Sequence, residues 1–147
     1  MISMKQTPAW PELRRNIDRG QARLSRFGIL HQDLGKAFSD WVDRNFALQG
    51  KLVQENSAGW PGLSAQTLAS RRRKGQGKKI LLATGRLKRS IQARASEKGM
   101  ELGTPVPYGA GHQLGLGVPK RPFLPSARQS ISIAKPVVEG FIQGAIE

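Results

Sequence analysis

The sequence predicts an α+β protein in which a small antiparallel β-sheet packs against long N-terminal and C-terminal helices. Three observations carry that prediction. Residues 29–48 place Leu30, Leu34, Phe38, Trp41, Val42 and Phe46 at spacings of three, four and seven, the signature of a helix with one buried face. Near Ile91 the period changes to two. From Ser126 to Ile146 the apolar residues return to helical spacing. Helices before and after a short run of strands give an α+β order.

The elements follow in turn. Residues 1–10 read as an irregular lead, and Pro11 followed by Glu12 suits a helix start. Leu13, Ile17, Leu24 and Phe27 keep a rough helical face, and Gly28 is expected to break the chain before the second helix. Residues 1–28 are therefore expected to be a helical lead, and 29–147 one α+β domain with a basic loop at 70–80. The aromatic stripe of the second helix is core rather than a cofactor box, and Gly50 ends it. Trp60 stands before Pro61 and is biased to extended backbone. Ser64 is positioned to cap a short helix, AQTLASRRR, with Leu63, Thr67 and Leu68 inward. The glycine-punctuated run that follows is too charged to pack and is expected not to hold a shape of its own. Ile80, Leu81 and Leu82 return to the core, and Thr84 can cap a helix through GRLKRSI.

Ile91, Ala93 and Ala95 alternate with polar residues, Glu97-Lys98-Gly99 makes a turn, and Met100, Leu102 and Thr104 alternate again, which predicts a β-hairpin. Residues 121–124 are expected to add a third strand. The last helix should bury Ala127, Ile131, Ala134, Val138, Phe141, Ile142 and Ala145, kink or restart at Pro136, and pack closely over Gly140 and Gly144.

Composition bounds the function. The chain has 147 residues, enough for one ordinary domain. It is 38 % hydrophobic, so a modest core is expected that a partner or an oligomer completes. Twenty-four Lys and Arg against ten Asp and Glu give a net charge of +14, which attracts polyanions and acidic protein surfaces. Without cysteine there is no disulfide framework. The N-terminus lacks an apolar run of signal-peptide length, and no window has the about 18 apolar residues of a membrane span, so a soluble, non-secreted protein is expected.

The span Gly103 to Pro125 holds five of the nine prolines together with Tyr108, His112, Gln113, Arg121 and Phe123. Glycine and proline at that density predict turns rather than a regular element. Catalysis by His112 with Tyr108 is disfavoured, because no acid lies between Glu101 and Glu139 to orient the imidazole. His31 is the only other histidine, so no His/Cys zinc spacing can be assembled. GQGKKI lacks the Lys-Ser/Thr ending of a phosphate loop, and GLG at 115–117 is too short for a dinucleotide fingerprint. No catalytic, cofactor or metal residue is expected. Arg71, Arg72, Arg73, Lys74, Lys78 and Lys79 form a basic run facing either a protein neighbour or DNA. No aromatic is interleaved with it for base stacking.

In order along the chain, Trp60 to Thr67 (W-x-x-L-S-x-x-T), Thr84 to Ile91 (TGRLKRSI), Tyr108 to Gly115 (YGAGHQLG) and Pro119 to Leu124 (PKRPFL) resemble the phage virion morphogenesis family. This family includes tail-completion or head–tail joining proteins of Mu-like and related tailed phages. The resemblance covers roughly residues 29 to 125. The stretch before Trp60 is short for the family, and Pro136 sits in the last helix. The resemblance implies a non-enzymatic neck component with no cofactor, working in the virion after assembly in the bacterial cytoplasm. It would form a ring, a hexamer, around the DNA conduit, between a head-side connector or adaptor and the tail tube or tail terminator. The genome would pass it non-specifically, and no membrane is involved. In that setting Tyr108, His112 and Gln113 would fix the loop by hydrogen bonds, and Arg121 and Phe123 would be aimed by Pro119 and Pro122, with Phe123 inward and Trp60 structural. The alternative reading of the same charge is a non-specific basic DNA-binding protein.

Overall fold

A computed structural model describes residues 26–53 and 58–146, with residues 14, 15, 18, 19 and 22 before them. The helix expected from Pro11 lies almost wholly outside the described residues. The elements are α1 (Phe27–Ala47), α2 (Ala65–Arg73), α3 (Arg86–Ser90), β1 (Gln92–Ser96), β2 (Gly99–Gly103), α4 (Pro107–Leu114) and α5 (Ala127–Ile146). This is the mixed α+β order read from the sequence, with the long helices near the two ends.

Helix α1 is the axis of the fold. Leu30, Phe38, Val42 and Phe46 recur at spacings of four or eight and are all buried. The helix begins before Gly28 instead of breaking there. Ile29 N and Leu30 N both donate to Arg26 O, and the Phe27 ring lies 5.9 Å from Phe141 on α5. That cross-chain contact draws the helix start forward past the glycine. At the other end Gly50 takes φ +86° and donates to Asn45 O at 2.9 Å. A Cβ at position 50 would run into the Trp60 indole, so both conformation and space require glycine here.

The hairpin packs across α1. Gln92 pairs with Gly103, Ala93 with Leu102, Arg94 with Glu101 and Ala95 with Met100, antiparallel. Ala93 and Met100 face Gly35 on α1. The sheet has two strands among the described residues, and the third strand expected at 121–124 is not formed. Pro122 has no N–H, and the N–H groups of Arg121, Phe123 and Leu124 are taken by His112 O and the Gln113 side chain, leaving nothing for a ladder.

The core joins Val42, Phe46, Trp60, Leu81, Leu87, Val106 and Phe123, with Trp41, Ile80, Ile91, Leu102 and Leu124 packed on it. Phe46 meets Trp60 edge-on at 5.2 Å and Phe123 at 6.2 Å.

Helix α5 packs along α1 and corrects three expectations. It runs unbroken through Pro136. The carbonyl that loses its helical donor belongs to Ser132, which is exposed, so water can satisfy it. Its inward side chains are Ile133, Ala134, Val137, Val138 and Phe141, all half-buried, whereas Ile131 is 70 % and Ile142 50 % exposed. A Cβ at Gly140 or Gly144 would meet nothing within 4 Å, so these glycines mark no close helix packing. Gln129 fixes the start of the helix by donating to Leu52 O at 2.8 Å.

Candidate functional site

The segments singled out in the sequence meet at one internally bonded knot. Trp60 is 4 % exposed and donates its indole N–H to Pro122 O at 2.7 Å. Arg121, beside that carbonyl, returns the connection by donating from Nε to Pro61 O and from Nη2 to Gly62 O, both at 2.9 Å. The 60–62 and 121–123 segments are therefore stapled in both directions. Gln113 closes the third side: its Oε1 accepts from Phe123 N at 2.9 Å and Leu124 N at 3.0 Å. Phe123, pulled in by that bond, is 1 % exposed and completes the aromatic core.

The platform for Gln113 is helix α4, which departs from the turn-only expectation for 103–125. Pro107 occupies its first turn, where a missing N–H costs nothing, and Gly115 ends it in the left-handed region at φ +78°. Gly115 N and Leu116 N both donate to Gly111 O. Pro107 and Gly115 thus set the two ends of a helix that accommodates Gly109 and Gly111 inside it.

His112 and Tyr108 meet through their rings. The His112 carbonyl accepts from Arg121 N at 2.7 Å, while its ring Nδ1 is buried without a partner among the described residues. Burial, then the charges of Arg121 and Arg71, hold the imidazole pKa below its usual value, so the ring is neutral at neutral pH. Tyr108 is 46 % exposed and meets His112 edge-on at 6.3 Å; its contribution is this ring contact, not a hydrogen bond. Among the described residues no group of three His, Asp or Glu could hold a metal ion.

The basic run forms a ridge with a definite shape. Ser64 Oγ accepts from Thr67 N at 3.1 Å, capping α2 as its sequence suggests. Leu63 and Thr67 are half-buried, but Leu68 is 39 % exposed and does not turn inward. The loop after α2 is not shapeless. Arg71 Nη1 donates to Gly77 O at 2.9 Å and Lys79 O at 2.8 Å, Gln76 N donates to Arg71 O, and Gly77 N to Ala83 O. Five cations project from that frame: Arg72, Arg73, Lys74, Lys78 and Lys79 are exposed, while Arg71 is half-buried. Arg71→Ala is therefore expected to cost about 1–3 kcal/mol through its carbonyl partners. The triple change Arg72→Ala, Arg73→Ala and Lys74→Ala should stay within about 1 kcal/mol of wild type. Urea titrations of both variants check the contrast.

Other positions carry structure that sequence reasoning missed. Gln49 donates to Phe46 O at 2.8 Å and accepts from Ile80 N at 2.6 Å, tying the end of α1 to the strip after the basic loop. Its place just before Gly50 was the available signal. Thr84 accepts only a long 3.4 Å bond from Arg86 N, and Gly85, at φ +71°, takes the position before α3. Asn45 is fully buried in α1, and its side chain has no partner among the described residues.

These features define a class first: a strongly basic α+β protein whose 60–62, 113 and 121–124 segments hold one another, with cations left outside. The model of the phage virion morphogenesis family matches residues 9–139, and the chain belongs to that family. Membership makes it a structural, virion-associated protein of phage morphogenesis that works with other virion proteins. No curated protein and no solved structure matches the chain. No described helix is long and apolar enough to cross a membrane.

Proposed function

We propose that the protein is a neck subunit that completes the tail or joins head to tail, assembling as a ring, a hexamer, around the DNA conduit. Its neighbours on this reading are a head-side connector or adaptor and the tail tube or tail terminator. The observation that carries it is the outward face of this family member. Ile29, Leu114, Leu116, Ile131 and Ile142 are each 50 % or more exposed, and Arg72, Arg73, Lys74, Lys78 and Lys79 are exposed as well. Apolar side chains left in water on a chain of net charge +14 suit a subunit that buries them on neighbours. The ridge either tolerates passing DNA or docks on an acidic protein surface.

Electron microscopy of particles made without the gene, and with it restored, tests the reading. Separate full heads and tails that join on complementation are expected, and normally joined particles without the gene would refute it. The Arg72→Ala, Arg73→Ala, Lys74→Ala variant should restore joining less well than wild type.

The five exposed cations also favour a second reading, non-specific duplex binding. That reading requires binding that weakens steeply with salt. Absence of a duplex shift at low ionic strength would remove it.

A further inference from the structure

The hairpin is a two-stranded sheet whose outer edges meet no other strand among the described residues. In an antiparallel ladder, pairs that exchange two hydrogen bonds alternate with pairs that exchange none. The two-residue Glu97-Lys98 turn closes on Ser96 and Gly99, which puts Arg94 and Glu101 in the bonded set. Ala93, Ala95, Met100 and Leu102 therefore aim their N–H and C=O groups away from the hairpin, and no described backbone group takes them up. The side-chain bonds at the hairpin fall on Ser96, Lys98 and Gly99, around its turn, and leave the edges bare. A Cβ at Gly99 or Gly103 would meet nothing within 4 Å, so nothing crowds β2 at either end. Arg94 and Glu101 face each other across the strands and both are exposed, yet neither makes an ion pair among the described residues. Both line a hollow of about 500 Å³ that leaves them open to a neighbour. An edge of unpaired N–H and C=O groups is a template for another strand, and a lone hairpin gains stability from one.

We propose that the hairpin is the contact through which copies of this chain join, the β2 edge of one copy adding antiparallel to the β1 edge of the next. Paired over their full length, Met100 and Leu102 of one copy meet Ala95 and Ala93 of the next, outward groups against outward groups. These four side chains then stay on one face of the joined sheet, whereas a slip by one residue would reverse it. Glu101 comes to lie opposite Arg94 of the next copy. The charges also choose the partner edge. Two β1 edges paired over their full length about a two-fold axis would set Arg94 against Arg94, and two β2 edges Glu101 against Glu101. Unlike edges make a head-to-tail contact, which repeats around a ring instead of stopping at a dimer. The inference rests on the ring of the proposed function and names the surface that closes it.

The chain has no cysteine, so single cysteines report the contact cleanly. Full-length Arg94→Cys and Glu101→Cys chains, one carrying a mass tag, are mixed and oxidised. Opposed residues that exchange no hydrogen bonds across the new ladder sit about 4.5 Å apart at Cα, within disulfide range. A Lys78→Cys chain mixed with the Glu101→Cys chain gives the collision rate, because Lys78 is exposed on the ridge. The disulfide between the Arg94→Cys and Glu101→Cys chains should form about tenfold or more faster than that control. It should also outrun both like pairs. Ala95→Pro added to the Arg94→Cys chain removes an outward N–H but no bond of the hairpin itself, and should slow the reaction by about tenfold. A rate no faster than the collision control would overturn the proposal. Dominance of either like pair would overturn it in favour of a two-fold dimer, and indifference to Ala95→Pro in favour of a contact without strand pairing. Should the Ala95→Pro chain fail to fold, the ranking of the disulfide rates decides alone. The neck reading is decided separately by particles lacking the gene: joining lost there, with no fast disulfide here, would remove the edge contact and leave the neck role.

Discussion

Trp60→Ala is expected to leave the protein largely unfolded at room temperature. Emptying a well-packed aromatic site costs about 3–5 kcal/mol. Trp60 is 4 % exposed and sits edge-on against Phe46, so the hole would open at the centre of the core. The change also removes the donor to the half-buried Pro122 O, and a carbonyl left unpaired there adds up to about 1–3 kcal/mol. The sum rivals the about 5–15 kcal/mol that holds an ordinary domain together. Trp60→Phe separates the two contributions, because it keeps most of the ring volume and loses the N–H. It should fold, with a urea midpoint lowered by the equivalent of about 1–3 kcal/mol. Wild-type stability in Trp60→Phe would show that the indole bond does not hold the 121–124 segment. Wild-type stability in Trp60→Ala would show that the core is not closed by this residue at all.

What the sequence disclosed about this region follows a physical division. Apolar spacing along α1 announced Leu30, Phe38, Val42 and Phe46, because period alone decides which face of an isolated helix is greasy. The hairpin was legible from its alternation and from the Glu97-Lys98-Gly99 turn. Pairings between distant segments were not. Nothing local in Arg121 or Pro61 says that they share a hydrogen bond across 60 residues, and the third-strand expectation arose from that blindness. The helix at 107–114 was hidden by glycines and prolines that read as breakers: Pro107 and Gly115 sit at its two ends, while Gly109 and Gly111 lie inside it. Pro136 misled in the opposite sense: packing along α1 holds α5 continuous over a defect that would break an isolated helix. Charge was legible as composition, while its division between a structural Arg71 and an outward ridge needed the fold.

Gln113→Leu is expected to be the second most damaging change, although it adds no charge and conserves much of the side-chain volume. The Gln113 carbonyl oxygen receives two backbone N–H groups, those of Phe123 and Leu124, which have no strand partner to turn to. Leaving both unmade costs about 1–3 kcal/mol each, and the two losses are coupled because the donors are adjacent. Freed from Gln113, Phe123 loses the bond that holds its backbone, and Arg121, two residues before it, loses the frame that aims it at Pro61 and Gly62. Gln113→Glu offers the discriminating comparison. It keeps an accepting oxygen for both N–H groups and gives up only the 3.4 Å contact from Nε2 to Leu124 O. The carboxylate would also lie in a positively charged molecule, at a net +14. Gln113→Glu should therefore remain within about 1 kcal/mol of wild type, whereas Gln113→Leu falls by several times that. Urea midpoints read the difference. Equal loss in both variants would mean that side-chain shape, and not acceptance of two N–H bonds, is what the position requires. No loss in either would mean that burial of Phe123 alone fixes the segment.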